Sequence, residues 1–315
     1  MAYIKSPIHY MGNKYDLLPS MIEQFPKKEE VSVFYDIFGG SGTVSLNVPY
    51  DNVVYNELNG NMVNLLKMIK EEKPEDIIAH IKKRIEEFDL NSEGTDTRQN
   101  ITDNEEKRKY YNDRYLAFRK FYNESEKDIK DLYALSFWSF CNLMRFNSKN
   151  EFNMPYGNRC FIEDDALNLI QAHNVFLKKN ITLLEGDAFE LFKTLGEDRK
   201  IFCYIDVPYV NSTAIYNENR AFGGWGIEED EKVFAELDRL TSLGIKWAYS
   251  NVLEIKGKQN NHIKDWAERN NYTIIDFEHK EYSSLGKGNA NAREVLIINY
   301  EQRAKKYSIF DFMED

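Results

Sequence analysis

Seven stretches of the chain are largely apolar: Val31–Phe38, Val53–Tyr55, Ile181–Leu184, Ile201–Ile205, Lys246–Tyr249, Thr273–Phe277 and Val295–Tyr300. Short runs rich in β-branched and aromatic residues are what strands covered on both faces require, because neither face meets water. Between the later runs, Glu228–Leu240 and Asn260–Glu268 space their apolar residues as helices do. Strand and helix in alternation predict an α/β fold with a doubly wound, Rossmann-like sheet.

The alternation breaks between about residues 61 and 180. Ile77–Phe88 and Glu105–Tyr122 have helical spacing with many charges, Asn91–Asn104 is polar, and Ile129–Cys141 is apolar and aromatic. Asn142–Asn158 is rich in Asn, with a single Pro and a single Gly. The pattern predicts a mainly helical insertion. Residues 1–62 and 180–303 then form a discontinuous sheet-bearing domain, 63–179 the inserted domain and 304–315 a tail.

A chain of 315 residues can bury a sizeable core. Its net charge of −11 argues against a diffuse affinity for phosphate. Cations nevertheless cluster locally, at Lys107, Arg108, Lys109, Arg114, Arg119 and Lys120, and again at Arg145, Lys149 and Arg159. One basic face on an acidic protein is enough to hold nucleic acid. Cys141, Cys160 and Cys203 form no CxxC pair and no zinc spacing, so a reducing compartment and no metal are expected. No hydrophobic leader and no apolar run of spanning length occurs, which predicts a soluble cytoplasmic protein.

Three motifs follow strand candidates. Asp36-Ile-Phe38-Gly39-Gly40-Ser41-Gly42-Thr43 is a Gly-rich turn after the first strand, where doubly wound sheets bind nucleotides. It matches neither GxGxxG nor GxxxxGK[ST], which disfavours a dehydrogenase or a nucleoside triphosphatase. Glu57 ends the second strand about 20 residues on, the spacing of an acid that accepts from ribose hydroxyls. Asp206-Val207-Pro208-Tyr209 closes the strand Ile201–Ile205. An exocyclic amine on a purine is a poor nucleophile because its lone pair is delocalised. A carboxylate from Asp206 and the carbonyl of Val207 would each accept one N–H and stabilise the positive charge that grows on nitrogen. Tyr209 would stack on the base.

Together these residues resemble the Dam-type (D12 class, alpha-group) family of DNA adenine-N6 methyltransferases, over nearly the whole chain. The resemblance extends to Ile8-His-Tyr10-Met-Gly-Asn-Lys14, Asn56-Glu57-Leu-Asn59, Leu184-Glu-Gly-Asp187-Ala-Phe189, Tyr249-Ser-Asn251 and Arg293–Tyr300. It implies S-adenosylmethionine as cofactor, with Tyr10, Lys14, Asp36, Phe38, Gly39, Gly40, Ser41, Gly42, Thr43, Glu57, Asp187, Phe189 and Asp206 as its contacts. It makes Asp206, Val207, Pro208 and Tyr209 the catalytic set. Arg145–Gly157 resembles the family's target-recognition segment. That implies double-stranded DNA as partner, with Arg145 reading guanine, Leu143 and Pro155 touching a thymine methyl, Asn147 in contact with DNA, and Phe140 inserting beside a flipped adenine. GATC is the implied site. A monomeric, prokaryotic or phage-encoded protein at the nucleoid is the implied setting.

Val207 departs from the family's usual Pro. Val supplies the same carbonyl but not the fixed φ, so weaker pre-organisation is expected. Two other readings remain open at this point. One is a binding protein that keeps cofactor and DNA but has lost catalysis through Val207. The other is an amino-methyltransferase acting on protein glutamine or on RNA.

Overall fold

All seven apolar runs are strands. In chain order the strands are β1 (Val33–Asp36), β2 (Asn52–Glu57), β3 (Asn180–Glu185), β4 (Ile201–Asp206), β5 (Lys246–Ile255), β6 (Lys258–Gln259), β7 (Thr273–Asp276), β8 (Glu281–Tyr282) and β9 (Ala290–Ile298). The computed structural model describes residues 2–10, 12–94, 96, 101–196, 198–208, 225–255, 258–277, 281–282 and 290–302. Tyr209 and the expected tail lie outside the described residues.

The sheet runs in the order β3-β2-β1-β4-β5-β9-β7, with β6 on β5 and β8 on β9. Strands β1 to β5 are mutually parallel, and β9 is antiparallel to both β5 and β7. From β1 the chain winds outward through β2 and β3, then returns to β4 on the other side and winds away through β5. The direction of winding therefore reverses between β1 and β4. Connections leave on opposite sides at such a point, and a crevice opens beyond the carboxyl ends of the two strands. This is a doubly wound, Rossmann-like sheet.

Alternation along β4 sorts the two faces. Phe202 and Tyr204 join one apolar cluster with Phe34, Met62, Leu66, Leu169 and Phe176. Ile201, Cys203 and Ile205 join the other with Val233, Leu237, Trp247 and Trp266. Helices Gly60–Glu71 and Glu163–Lys178 thus cover one face, and Ile227–Ser242 and Asn261–Arg269 the other. The period of two in the strand is what allows both layers to be dry.

The insertion is built on helices Pro74–Phe88, Glu105–Glu124 and Ile129–Trp138. Asp131 is 1% exposed and locks two of these helices. It accepts from Arg84 Nε at 2.6 Å and Nη2 at 3.0 Å, and it meets His80 Nε2 at 2.6 Å. The expected division at 62/63 falls inside the continuous helix Gly60–Glu71. One apolar cluster also runs from Phe34 and Phe202 of the sheet to Phe118 and Trp138 of the insertion.

Candidate active site and recognition segment

Each motif after β1, β2, β3 and β4 stands at the carboxyl edge of the sheet, beside the reversal. Backbone geometry explains the Gly-rich turn. Gly40 and Gly42 have φ of +50° and +74°, where a side chain is strained. A methyl on Gly39 would lie 2.2 Å from the Tyr55 ring, so the turn also packs too closely for any larger residue. Tyr55 Oη donates to the Gly40 carbonyl (2.6 Å), and Tyr10 lies against Gly40 from the other side. Ser41 Oγ and Thr43 Oγ1 are 2.8 Å apart and buried.

Glu57 is oriented by the turn itself. Its Oε2 accepts from the Gly40 amide and its Oε1 from the Asn59 amide, each at 2.9 Å. Burial raises its pKa, and these amide bonds oppose the rise. Asn56 ties the loops together: its Nδ2 donates to the carbonyls of Ile37 (3.0 Å) and Gly186 (3.1 Å). Asp187 is exposed beside them and accepts from the Phe189 amide at 2.9 Å. Phe38 meets Trp225 edge-on at 5.5 Å between ring centres.

Asp36 sits beneath this layer, 1% exposed, with Oδ2 accepting from Ser45 Oγ at 2.7 Å. Burial raises its pKa from 3.8 to about 7, against the Ser45 bonds and with Asp206 and Glu57 adding to the rise. The folded state therefore holds a proton here that the unfolded chain releases between about pH 4 and 7. The stability Asp36 contributes is complete below its unfolded pKa and is lost as pH rises through 7. Asp36→Asn removes that loss. Against the variant, the wild type should lose stability at roughly 1 kcal/mol per pH unit across this window, read by urea unfolding at several pH values. Parallel curves would contradict it.

The carboxyl tip of β4 is paired. Lys14 Nζ lies 2.8 Å from Asp206 Oδ2 and donates to the Gly12 carbonyl at 3.1 Å. Burial disfavours the Lys14 charge, but Asp206, Tyr204 and Glu294 together outweigh it and hold the ammonium above the ordinary lysine range. Val207 is 2% exposed and shares the apolar cluster of Ile37, Ile205 and Tyr249. Packing thus holds the Val207 side chain, whereas Pro would restrain the peptide through its ring.

The recognition segment is a hairpin-like loop at the end of helix Ile129–Trp138. Isolated bridges pair Ser139 with Tyr156 and Phe146 with Phe152. Asn123 of helix Glu105–Glu124 brackets Phe152, donating to its carbonyl at 3.0 Å and accepting from its amide at 2.8 Å. Arg119 Nη1 and Tyr115 Oη both donate to the Met154 carbonyl. Arg145 is braced from one side, Nε to Asn153 Oδ1 (2.8 Å) and Nη2 to the Asn153 carbonyl (3.1 Å). Asn147 caps the turn, with Oδ1 accepting from the amides of Lys149 and Glu151. Phe140 is 46% exposed rather than in the core, Pro155 is exposed and Leu143 is half-buried.

Several expected cations serve the insertion itself: Lys107 pairs with Asp96, Arg159 donates to Asn142, and Arg119 holds Met154. Residues the motifs did not single out complete the region. Tyr133 Oη donates to the Pro7 carbonyl and Phe137 meets His9 edge-on, which joins the insertion to the segment carrying Tyr10 and Lys14. Leu58 is 43% exposed next to Glu57. Among the described residues, no group of three or more His, Cys, Asp or Glu is placed to hold a metal, and no helix is long and apolar enough to cross a membrane.

The profile of the D12 class N6 adenine-specific DNA methyltransferase family matches residues 10–282, from Tyr10 through the whole strand edge and the insertion. The chain belongs to this family. Among curated proteins it is similar to Modification methylase StsI of Streptococcus sanguinis, 33% identical over 307 residues, covering 96% of this chain and 44% of that protein. Type II methyltransferase M.FokI of Planomicrobium okeanokoites is 34% identical over 308 residues, again 96% and 44%. A DNA adenine methylase of Haemophilus influenzae is 27% identical over 208 residues, 64% of this chain and 63% of that protein. The chain thus spans less than half the length of the first two relatives.

Proposed function

We propose that the protein transfers a methyl group from S-adenosylmethionine to the N6 amino group of an adenine turned out of duplex DNA. The observation that carries this is the juxtaposition of the Gly40–Glu57 cradle with the Asp206-Val207 strand tip at the sheet's reversal. The residues fit the cofactor chemically. A ribose diol matches a carboxylate that two backbone amides already aim, and a sulfonium cation matches an edge carrying Glu57, Asp187 and Asp206. The bound cofactor supplies an electrophilic methyl carbon.

The protein's part in the chemistry is positional. Asp206 and the Val207 carbonyl each accept a hydrogen bond from one N6 N–H, which localises the lone pair on nitrogen and stabilises the charge it acquires, and the one proton lost after transfer leaves by way of Asp206. On the DNA side, exposed Phe140 has no core to lose by entering the base stack, and it stands at the tip of the helix that touches Pro7 and His9. Asn153 occupies the Nε–Nη2 edge of Arg145. The Nη1–Nη2 edge is the one suited to a bidentate contact with guanine.

GATC is the proposed site. The protein expressed in a host lacking adenine methylation should leave N6-methyladenine in host DNA, mapped by modification-sensitive sequencing. Methylation at another motif overturns GATC alone. No modified adenine, with labelled cofactor still bound, overturns the reaction.

A further inference from the structure

The strand tip holds more charge than methyl transfer by Asp206 and Val207 uses. Asp206 pairs in register with Ser250, Ser250 with Leu296, and Val252 with Glu294. Alternation along β4 and β9 sends Phe202, Tyr204 and Asp206 to the same face as Ile298, Leu296 and Glu294. Three neighbouring strands therefore present Asp206, Ser250 and Glu294 at one end of the face that the Lys14 segment covers. Lys14 is 4% exposed and clamps Asp206 Oδ2 at 2.8 Å. Ser250 is 0% exposed, and its Oγ, like the buried Oε2 of Glu294, has no hydrogen-bond partner among the described residues.

A buried carboxylate facing an apolar layer is costly unless something needs it. Glu294 faces Lys14 and Asp206. Asp206 in turn faces Lys14, Asp36, Glu294 and Tyr249, Tyr204 faces Lys14, and Glu57 stands behind Asp36. Two carboxylates, Asp206 and Glu294, thus share the field of one buried ammonium. Clamping one oxygen of Asp206 fixes the rotamer that aims the other. An ammonium balanced by Asp206 alone would draw strongly on the carboxylate and weaken it as an acceptor. A second carboxylate behind the lysine divides that pull.

We propose that Lys14 and Glu294 are positioning residues for Asp206, Lys14 fixing its carboxylate in the ionised, aimed state and Glu294 tuning that grip. The inference rests on the methyl-transfer reading for its catalytic meaning, but its electrostatics can be read without turnover. The two residues carry opposite charge, so they must move Asp206 in opposite directions. Lys14→Met should shift the acid limb of the single-turnover rate up by about one pH unit, and Glu294→Gln should shift it down. Glu294→Gln should lower kcat roughly tenfold while leaving the cofactor KM within about twofold, and Lys14→Arg should return the limb close to wild type.

The same opposite shifts are expected in the carboxyl titration of Asp206 followed by 13C NMR in cofactor-free protein. Limbs that move together or not at all, with unchanged Asp206 titrations, overturn the proposal. A wild type that transfers no methyl group removes the methyl-transfer reading, and the cofactor-free titration then decides this inference by itself. Should Lys14→Met fail to fold, Glu294→Gln and Lys14→Arg still give the direction of the shift.

Discussion

Asp206→Ala should abolish adenine methylation and also lower the melting temperature by several degrees. On the proposed reaction, the first effect follows from removing one of two hydrogen-bond acceptors for the N6 amino group. Loss of a comparable pre-organised hydrogen-bonding group costs on the order of 3–4 kcal/mol in the barrier, or about 10²–10³ in kcat. The second follows from Lys14. Its ammonium is buried against Asp206 at 2.8 Å, and removing one partner of a buried pair strands the other at a cost of about 3–5 kcal/mol. Asp206→Asn separates the two effects. It retains an oxygen acceptor but not the charge, so it should keep measurable transfer while still melting early. Labelled methyl transfer to an adenine-containing duplex and a melting curve check both, with cofactor binding as the control for folding. An alanine variant that methylates at near the wild-type rate would remove Asp206 from the chemistry.

Gly157→Ala should weaken DNA binding tenfold or more and leave cofactor binding intact. A methyl there would lie 2.4 Å from the Ser139 carbonyl oxygen and 2.8 Å from Phe140 Cα. Both are backbone atoms and cannot swing aside. The approach is this close because the Gly157 amide donates to the Trp138 carbonyl and the Phe140 amide to the Pro155 carbonyl, each at 2.8 Å. Overpacking of this kind costs about 1–3 kcal/mol, and the strain falls on the turn that presents Phe140. Phe140→Ala is the companion variant, removing the ring without moving the backbone. Anisotropy titrations with a fluorescent duplex read both. Unchanged affinity in Gly157→Ala would detach this loop from DNA recognition.

The seven longer strands were legible because most of the sheet is covered on both faces, which calls for runs of apolar residues, whereas the two-residue strands β6 and β8 carry no such run. The nucleotide-facing motifs were legible for a related reason: each follows a strand directly, and strand ends are where a parallel sheet leaves its backbone open. Pairings between distant residues were not legible. Nothing local in Lys14 announces Asp206, 192 positions away, and nothing in Asn123 announces Phe152. The hairpin of the recognition segment has only isolated bridges and an Asn-rich sequence, and helix Glu105–Glu124 holds it from outside. The partners of the clustered cations were not legible either: Lys107, Arg119 and Arg159 are each tied to a group within the insertion. Glu294 did leave a trace, as an acid in phase with Leu296 and Ile298 along β9, where alternation calls for an apolar residue.

The whole insertion lies between β2 and β3, which are immediate neighbours in the sheet. Everything from residue 58 to 179 is therefore one long crossover whose two roots stand side by side on a finished scaffold. Lengthening, trimming or exchanging such an excursion leaves the order of the strands unchanged. An architecture of this kind lets the address a chain reads evolve at its own pace, while the chemistry performed at that address stays fixed.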